Sequence, residues 1–393
     1  MASPSMTGKI QILLCTPEYV PHGSGIAHVA SSLTKSLNQR GASVDVLAPA
    51  SSGFLVHKNK LPGILGLAVF WRGALRYARR HADRYNTIWL QQPFIIFPGV
   101  LERLGRPVIL TWHATYFGLY RAHLEYRIWF LVPYYLICRM LEWVMLMRVS
   151  AFGERMIVTA VSPPAMEELR QNGCRLQVKV VPNASRFTVE RTVSRSEART
   201  LLRTKWGMQV ADDDRVILSV GRVTAGKRPM ELLKLFRTMQ ASDKKLKLVM
   251  VGGGALLQAV RNEARSMQGV FVPGYVPDAD LPAFYRAGNL FMSLSPHEAF
   301  NLTAIEASSF GLEVALSDIA SHRWLLQSGR VHGTIISAST SPSEVLRLMN
   351  STTREADAGK AFGLTWDDVA DSYLELIRGA MEPASPSGRF SSS

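Results

Sequence analysis

The sequence predicts an α/β protein with two domains, each built from alternating strands and helices. Short apolar segments typical of buried parallel strands alternate with amphipathic segments typical of helices. The alternation begins at Ile10, gives way to a charged segment near Glu190, and begins again at Val216. Glycine-containing loops follow several predicted strands in both halves, which is typical of parallel sheets that bind ligands at their carboxyl edge.

The composition limits the class of protein. The chain has 393 residues, 47% of them hydrophobic, which is enough for two or three domains with sizeable cores. A formal net charge of +14 suits nucleic acid, an anionic membrane or phosphorylated ligands. No nucleic-acid-reading motif is present, so we expect no nucleic-acid partner. The three cysteines, Cys15, Cys138 and Cys174, lack metal-ligand spacing and do not pair evenly, which indicates buried thiols in a reducing, cytoplasmic compartment.

Targeting and spanning segments are not expected. The first residues lack the charged, apolar and small-residue order of a signal peptide. No run of about 18 uncharged apolar residues is present, which argues against a spanning helix.

The first strand–helix–strand unit occupies the N-terminus. Ile10–Cys15 is a predicted strand, and a loop rich in proline and glycine follows it up to Gly25. A helix with an apolar face then leads to a second strand at Ser43–Leu47. A helix that opens after a glycine loop at the carboxyl end of a strand makes Gly25 a candidate for a ligand-binding edge, although the loop is not a full G-x-G-x-x-G motif. The alternative is a simple tight turn.

The segment Leu61–His81 has an unusual charge pattern. Its first half is apolar, and its second half is basic. This order is typical of an amphipathic helix that lies on anionic lipid. A core-packed helix with a solvated basic end explains the pattern equally well. The residues predicted to contact a membrane are Trp71, Arg72, Arg76, Arg79 and Arg80.

Two further strands, Thr87–Leu90 and Pro107–Thr111, flank an apolar loop segment, Pro93–Pro98. The second of them ends next to His113. A single histidine is more often structural than catalytic. Its place at the carboxyl end of a strand makes His113 a candidate for the site.

The segment Leu124–Met147 is rich in aromatic and apolar residues, and Pro133 is expected to kink or break a helix there. Core packing is the default interpretation, and an interfacial surface that meets lipid is the alternative. Farther along, a strand near Val178–Val181 leads into Pro182-Asn183. We place the first domain at residues 9–185, a connector at 186–211, the second domain at 212–355 and a terminal amphipathic helix at 366–381.

Two cations follow the first strand of the second half. Val216–Val220 is a predicted strand, and Arg222 and Lys227 lie in the loop between it and the next helix. Cations at the carboxyl end of a strand, beside a helix start, can neutralise the charge that grows on a leaving diphosphate. The alternative is a pair of solvated cations.

Two acids occur at a later strand-to-helix junction. After the strand Asn289–Leu294, Glu298 lies in the loop, and Glu306 lies in the helix that Asn301 can cap. The free N–H groups of a helix start can bind an anion such as a diphosphate. Carboxylates accept hydrogen bonds from sugar and ribose hydroxyls. The chemistry suggested is recognition of a nucleotide-diphosphate sugar, and the alternative is a surface helix with two solvated acids.

This stretch, Glu298-Ala-Phe-Asn-Leu302 followed by Glu306, resembles the E-x7-E signature of retaining glycosyltransferases with the GT-B fold, in glycosyltransferase family 4. Other family motifs are matched in the same order upstream: Gly221-Arg222 with Lys227, the glycines 252–254, and Val270–Val276. Ordered matches are more specific than any single one. The sequence departs from the family pattern at three positions, where Ala299 and Asn301 replace glycines and Glu313 replaces a proline.

The resemblance implies a GT-B fold: two Rossmann-like domains facing across a cleft, with the terminal helix crossing back to the first domain. It also implies roles for the catalytic set. Arg222 and Lys227 would neutralise the diphosphate, Glu298 would hold sugar hydroxyls, and His113 would lie near the reacting carbon. The donor-binding residues that it implies are Gly25, Gly221, Val276, Asn301, Leu302, Thr303 and Glu306, the last of which would hold ribose hydroxyls.

The implied reaction is transfer of a sugar, with retained anomeric configuration, from a nucleotide-diphosphate sugar. No metal or other cofactor is expected, because cationic side chains would take the place of a metal. We expect a lipid or lipid-linked glycan as acceptor, at the cytoplasmic face of a membrane. The alternative is a non-catalytic GT-B subunit that binds a nucleotide-sugar or supports a partner enzyme, suggested by the departures at Ala299, Asn301 and Glu313.

Overall fold

A computed structural model describes residues 9–20, 24–49, 63–92, 101, 103–149, 156–187, 193–337, 340–349 and 364–381. Within these ranges the chain forms two six-stranded sheets, and neighbouring strands in each sheet are parallel. The predicted α/β architecture is therefore confirmed.

The first sheet has the spatial order β2-β1-β3-β4-β5-β6. Its strands are β1 (Gln11–Cys15), β2 (Ser43–Leu47), β3 (Thr87–Gln91), β4 (Val108–Trp112), β5 (Met156–Ala160) and β6 (Val178–Val180). β3 and β4 are buried at every position, as expected for parallel strands covered on both faces. The helices of this part are α1 (Gly25–Gln39), α2 (Gly63–Arg80), α3 (Tyr116–Glu125), α4 (Val132–Val149) and α5 (Pro163–Gln171).

The second sheet has the spatial order β12-β11-β10-β7-β8-β9. Its strands are β7 (Arg215–Val220), β8 (Leu246–Val251), β9 (Val270–Gly274), β10 (Leu290–Ser293), β11 (Glu313–Ser317) and β12 (Gly333–Ile336). The helices from the connector onward are α6 (Arg195–Trp206), α7 (Pro229–Ser242), α8 (Leu257–Ala264), α9 (Leu281–Ala287), α10 (Leu302–Ser309), α11 (Ala320–Gln327), α12 (Pro342–Leu348) and α13 (Trp366–Met381).

The strand order of the second sheet locates its binding edge. From β7 the chain builds outward through β8 and β9, then crosses to β10 on the other side of β7. The loops after β7 and β10 therefore leave the sheet in opposite directions and open a crevice between them. Those two loops carry the predicted cations and the first predicted acid.

The terminal helix α13 packs on the first sheet, although it follows the second sheet in sequence. Tyr373 packs against Trp89 of β3 with ring centroids 4.1 Å apart and the ring planes tilted by 43°. Arg40, which follows α1, forms an ion pair with Asp371 at 2.7 Å. The predicted return of the terminal helix to the first domain is confirmed. The exact domain limits given above remain predictions.

One predicted membrane contact is wrong. Trp71 in α2 is completely buried and belongs to the core that lies under the first sheet. The arginines that follow it, Arg72, Arg76, Arg79 and Arg80, are all exposed. Apolar residues occur on two sides of α2, so the apolar pattern alone could not decide which side faces the core.

The aromatic segment around Pro133 forms two helices instead of one. α3 ends at Glu125, and α4 begins at Val132 with Pro133 in its first turn, where a missing N–H costs little. The break expected from Pro133 is confirmed. Core packing holds for one side of α4 only, since Ile137, Met140 and Trp143 are at least half exposed. The segment Pro93–Pro98 lies outside the described residues.

Candidate active site

The loop after β7 packs closely against a glycine-rich turn after β8. Gly221 has φ +155°. A Cβ on Gly252, in the turn after β8, would lie only 1.9 Å from the Gly221 carbonyl oxygen, and one on Gly254 would lie 2.5 Å from the Val223 carbonyl oxygen. The two glycine-containing turns therefore pack directly on each other, which fixes the backbone that carries Arg222 and Lys227.

Lys227 and Glu298 meet at the crevice. The Lys227 ammonium donates a hydrogen bond to a Glu298 carboxylate oxygen, and the two side chains are 30% and 16% exposed. Burial alone would raise the pKa of Glu298, but the charge and the hydrogen bond of Lys227 outweigh burial and hold that pKa below its ordinary value. Glu298 is thus an ionised acceptor beside a cation, a combination that can bind a hydroxylated ligand carrying phosphate.

The start of α10 is shaped by Asn301. This residue has φ +49° and ψ 68°, in the left-handed region, and its side-chain oxygen accepts a hydrogen bond from Ala304 N at 3.2 Å. Its amide nitrogen lies 2.8 Å from Nε2 of the buried His322. Asparagine tolerates this conformation better than most side chains do. The departure from the family's glycine therefore keeps the loop geometry and adds a helix cap.

The first turn of α10 offers an anion site. The N–H groups of Leu302 and Thr303 have no partner one turn earlier in the helix, as in every helix start. The Cδ1 of Leu302 lies 3.7 Å from the position of a Cβ on Gly25. The opening of α1 and the opening of α10 therefore face each other across the cleft.

Glu306 is enclosed by partners that the sequence analysis did not identify. The side chain is completely buried. Arg186 binds both carboxylate oxygens, with Nε 2.5 Å from Oε1 and Nη2 2.9 Å from Oε2. The Tyr285 hydroxyl donates to Oε2 at 2.6 Å. Three of about four acceptor positions on this carboxylate are thus occupied, which leaves little capacity for the ribose role that the resemblance implies.

Further polar contacts connect the Arg186–Glu306 ion pair to the first domain. Arg186 Nη1 donates to Asp278 Oδ1 at 3.2 Å. The other oxygen of Asp278 lies 3.5 Å from Nδ1 of His28 in α1. A chain of charged and ionisable groups therefore crosses from α10 to the glycine-loop helix of the other sheet. Val276, one of the donor-binding residues that the resemblance implies, is buried two residues before Asp278.

His113 has unsatisfied hydrogen-bonding capacity. Both ring nitrogens are buried, and neither has a partner among the described residues. Burial lowers the pKa of His113 to about 4, so the ring is neutral at physiological pH, with one donor and one acceptor. Buried polar atoms are normally paired. The unpaired imidazole at the carboxyl end of β4 is consistent with a ligand that completes its hydrogen bonds.

The segment around His113 is held by its backbone. The Gln92 side-chain oxygen accepts hydrogen bonds from the N–H groups of His113 at 2.9 Å and Ala114 at 3.1 Å. Gln92 Nε2 donates to the Ala114 carbonyl oxygen at 2.7 Å. These bonds leave the imidazole as the part of His113 that is available to a ligand.

Glu142 of α4 also holds the segment around His113 in place. Its carboxylate accepts hydrogen bonds from Trp112 Nε1 at 3.1 Å and from the N–H groups of Tyr116 and Phe117, each at 3.2 Å. Asn172 Nδ2 adds a further bond at 2.9 Å. Burial raises the pKa of Glu142 to about 7, against the opposing effect of these hydrogen bonds. A charged residue in an apolar helix gave no sequence signal for this positioning role.

Side chains of the first domain contact the E-x7-E loop. Ser162 Oγ donates to the Ala299 carbonyl oxygen at 2.6 Å. His297 Nε2 lies 3.3 Å from Glu168 Oε2, and the same oxygen accepts a hydrogen bond from the Thr115 hydroxyl. Thr115 is two residues from His113, and His297 precedes Glu298. These contacts bring the loop that carries Glu298 next to the segment that carries His113.

Arg222 acts electrostatically on the first domain. Its side chain is exposed, and its positive charge acts on Tyr135 in α4. Burial raises the pKa of Tyr135, and Arg222 opposes that effect. The described residues contain no group of three or more histidine, cysteine, aspartate or glutamate side chains that could hold a metal ion.

Comparisons with known proteins agree with this architecture. The family model "Glycosyltransferase Family 4" matches residues 23–184, and "Glycosyl transferases group 1" matches residues 203–361. The chain is 23% identical over 327 residues to alpha-monoglucosyldiacylglycerol synthase of Streptococcus pneumoniae, covering 78% of this chain and 70% of that protein. It is also 23% identical over 407 residues to the GDP-mannose:cellobiosyl-diphosphopolyprenol alpha-mannosyltransferase of Komagataeibacter xylinus, covering 96% and 95% of the two chains.

Among solved structures, Anabaena Alr3699/HepE in complex with UDP and glucose matches with a TM-score of 0.63 at 16% sequence identity, covering 94% of this chain and 99% of that one. At this identity the likeness shows the fold alone. The two family models lie one on each sheet-forming half and leave only short segments unmatched between them. Together with the two facing Rossmann-like sheets, they identify the chain as a glycosyltransferase family 4-like protein with the GT-B fold.

Proposed function

We propose that this protein transfers a sugar, with retention of anomeric configuration, from a nucleotide-diphosphate sugar to a lipid or lipid-linked acceptor. The observation that carries the proposal is the meeting of Lys227 and Glu298 at the switch point of the second sheet, beside the open N–H groups of α10. A cation and a helix start suit the diphosphate, and an ionised carboxylate suits the sugar hydroxyls.

The proposed reaction breaks the bond between the anomeric carbon and the diphosphate and forms a bond from that carbon to the acceptor oxygen on the same face. A donor phosphate oxygen takes the acceptor's proton, so no protein base is required. Arg222 and Lys227 stabilise the negative charge that grows on the leaving diphosphate, and the neutral His113 ring binds near the reacting carbon. These cations take the place of a metal ion.

The donor class is supported by the relatives. One is named for GDP-mannose, and a structure of the same fold was solved with UDP and glucose. The names of the two relatives refer to a diacylglycerol glycolipid and to a diphosphopolyprenol. Each name contains a lipid, which supports a lipid-type acceptor for this chain.

A donor screen tests the transferase proposal. Purified protein is incubated with UDP-, GDP- and ADP-sugars, and release of free nucleotide diphosphate is measured. We expect slow hydrolysis of one donor, reduced about 100- to 1,000-fold in Lys227→Met, because one stabiliser of the leaving group is lost. Lys245→Met is the matched control, since Lys245 forms an exposed ion pair with Asp213 at the opposite end of the sheet. Binding of a nucleotide-sugar without turnover would favour the non-catalytic alternative.

We also propose that the protein works at an anionic membrane surface, with α2 as one contact. Leu65 and Val69 are exposed on the same side of α2 as Arg72 and Arg76, with the three- and four-residue spacings of one helix face. Such a face combines insertion of apolar groups with attraction to anionic headgroups.

Charge reversal on α2 tests this contact. We expect Arg72→Glu, Arg76→Glu and Arg79→Glu together to abolish sedimentation with phosphatidylglycerol-containing vesicles at low salt. The same reversal at three exposed arginines of the second domain, Arg237, Arg265 and Arg347, serves as the control. If both variants lost vesicle binding equally, the loss would reflect the change in net charge alone, and a specific contact through α2 would be contradicted.

A further inference from the structure

The largest concentration of exposed apolar side chains in the described part of the chain lies on α4 and the turn Trp129–Leu131 before it. Of the 14 large apolar side chains that are exposed in the described part of the chain, seven lie between residues 129 and 144. Single exposed apolar residues are normal, but a concentration of this kind marks an interaction surface. The most exposed members, here called the α4 outer face, are Trp129 (61%), Phe130 (74%), Ile137 (51%), Met140 (60%) and Trp143 (50%).

The opposite side of α4 is fixed in the protein. Cys138, Glu142, Met145 and Val149 are buried, and the Glu142 carboxylate binds groups on β4, α3 and the segment after α5. By length and composition the segment Trp129–Val149 is long and apolar enough to cross a membrane. With one side tied to the core, only the outer face can meet another phase, so the helix would lie on a bilayer and not across it.

The charges around the α4 outer face indicate what kind of partner surface it binds. In the segment 116–149, Arg121, Arg127 and Arg148 are exposed, and Glu125 is the one exposed acid. Trp129 lies at the start of the face and Trp143 about four turns farther along, and tryptophan favours the boundary between headgroups and hydrocarbon. An apolar strip with arginines at its borders complements an anionic lipid surface better than it complements a neutral protein groove.

We propose that the α4 outer face docks on an anionic lipid bilayer and holds the catalytic cleft at the membrane surface. The inference deepens the membrane location proposed above and rests on different side chains. Through Glu142 the same helix holds the segment that carries His113, and Tyr135 on this helix lies within the electrostatic influence of Arg222. The bilayer surface would then lie about 10 Å, one helix diameter, from the cleft, so a lipid acceptor could reach the donor without leaving the membrane.

Vesicle binding by the full chain tests the inference. The probe is a set of phosphatidylcholine vesicles with and without phosphatidylglycerol. We expect the wild type to sediment with the anionic vesicles and the variant Ile137→Gln, Met140→Gln, Trp143→Gln to bind at least tenfold more weakly. The matched control is Leu201→Gln, Tyr275→Gln, because both residues are exposed apolar side chains of the second half. The control should bind like the wild type.

A second measurement keeps the inference testable if the glutamine variant folds poorly. Brominated lipids quench tryptophan fluorescence only within the bilayer. The variant Trp129→Phe, Trp143→Phe keeps the face apolar, so it should still bind vesicles while most of the quenching is lost. Quenching equal to that of the wild type would show that neither tryptophan enters the lipid and would overturn the inference.

The remaining outcomes distinguish lipid docking from a contact between two copies of the chain and from the transferase proposal. If the wild type binds no anionic vesicles, the docking surface is refuted. If the glutamine variant still binds fully but changes from dimer to monomer in analytical ultracentrifugation, the α4 outer face is instead a contact between two copies. Donor hydrolysis in water is measured on the same samples: its absence in all of them would contradict the transferase proposal, while the vesicle data would still decide the docking surface.

Discussion

At the scale of single residues, Arg186 and Glu306 form the pair with the largest energetic consequence. Glu306 is completely buried, and the Arg186 side chain is 13% exposed. The hydrogen bonds and charge of Glu306 raise the pKa of Arg186, although burial opposes that rise. Removing one member of a buried pair leaves an uncompensated charge, which costs about 3–5 kcal/mol, whereas replacing both by apolar groups of similar size is often close to neutral.

A double-mutant cycle should therefore be strongly non-additive. We expect Arg186→Met and Glu306→Met each to lower the free energy of unfolding by about 3 kcal/mol or more, and the double variant to recover most of that loss. Urea denaturation measures all four proteins. Additive losses would mean that the two side chains do not depend on each other in the folded protein.

The same variants address how Glu306 takes part in donor binding. If Glu306 holds ribose hydroxyls directly, Arg186→Met frees two acceptor positions on its carboxylate and should not weaken nucleotide diphosphate binding. Glu306 was predictable from its spacing to Glu298, but Arg186 was not, because its contact with Glu306 joins residues 120 positions apart. Glu168 and Glu142 were missed for the same reason: each acts through the fold, and neither has a local pattern.

At the scale of elements, the start of α10 shows how one side chain can maintain a strained backbone. Asn301 holds a left-handed conformation, caps the helix, and reaches the completely buried His322. Burial lowers the pKa of His322 to about 4, so its ring is neutral and can accept from the Asn301 amide while its other nitrogen, 2.8 Å from the Ser317 carbonyl oxygen, donates.

Substitutions at Asn301 should separate conformation from capping. Glycine adopts the left-handed conformation without strain and caps a helix almost as well, so Asn301→Gly should cost only a few tenths of a kcal/mol from lost capping, plus the bond to His322. Asn301→Ala should cost about 2 kcal/mol or more, because alanine is strained there and loses the cap. Thermal denaturation should rank wild type above glycine above alanine. An alanine variant as stable as the glycine variant would contradict this account.

Most strands and helices of the chain were predictable from the sequence. It was harder to predict which face of a helix is buried. Buried strands such as β3 and β4 are short apolar runs, and α10 has both a capping residue before it and a glycine after it. α2 was predicted as a helix, but Trp71 was assigned to the wrong side. Periodicity identifies an apolar face, and when two faces of a helix are apolar, only the tertiary contacts decide which of them is buried.

At the scale of the whole molecule, the terminal helix α13 completes the first domain with residues from the far end of the chain. Val369, Tyr373, Leu374 and Ile377 are buried in a cluster with residues of β1, β3 and α1. The Tyr373 hydroxyl lies 3.5 Å from Thr111 Oγ1 and 3.4 Å from Thr159 Oγ1. The first sheet therefore depends on a segment that is synthesised after the second sheet.

Ending the chain at residue 349 should unfold the two sheets unequally. Hydrogen exchange should show lost protection in β1, β3 and β4, because their apolar cover is removed, while β7, β8 and β10 keep theirs. Deletion of residues 382–393 alone, which follow α13, is the control and should leave both sheets protected. If the shortened chain does not express, Tyr373→Ala should cost about 3–5 kcal/mol and Tyr373→Phe only about 1 kcal/mol, because phenylalanine keeps the ring against Trp89 and loses the hydroxyl. Equal loss of protection in both sheets would show that the halves of the molecule unfold as one unit and that α13 does not stabilise the first domain selectively.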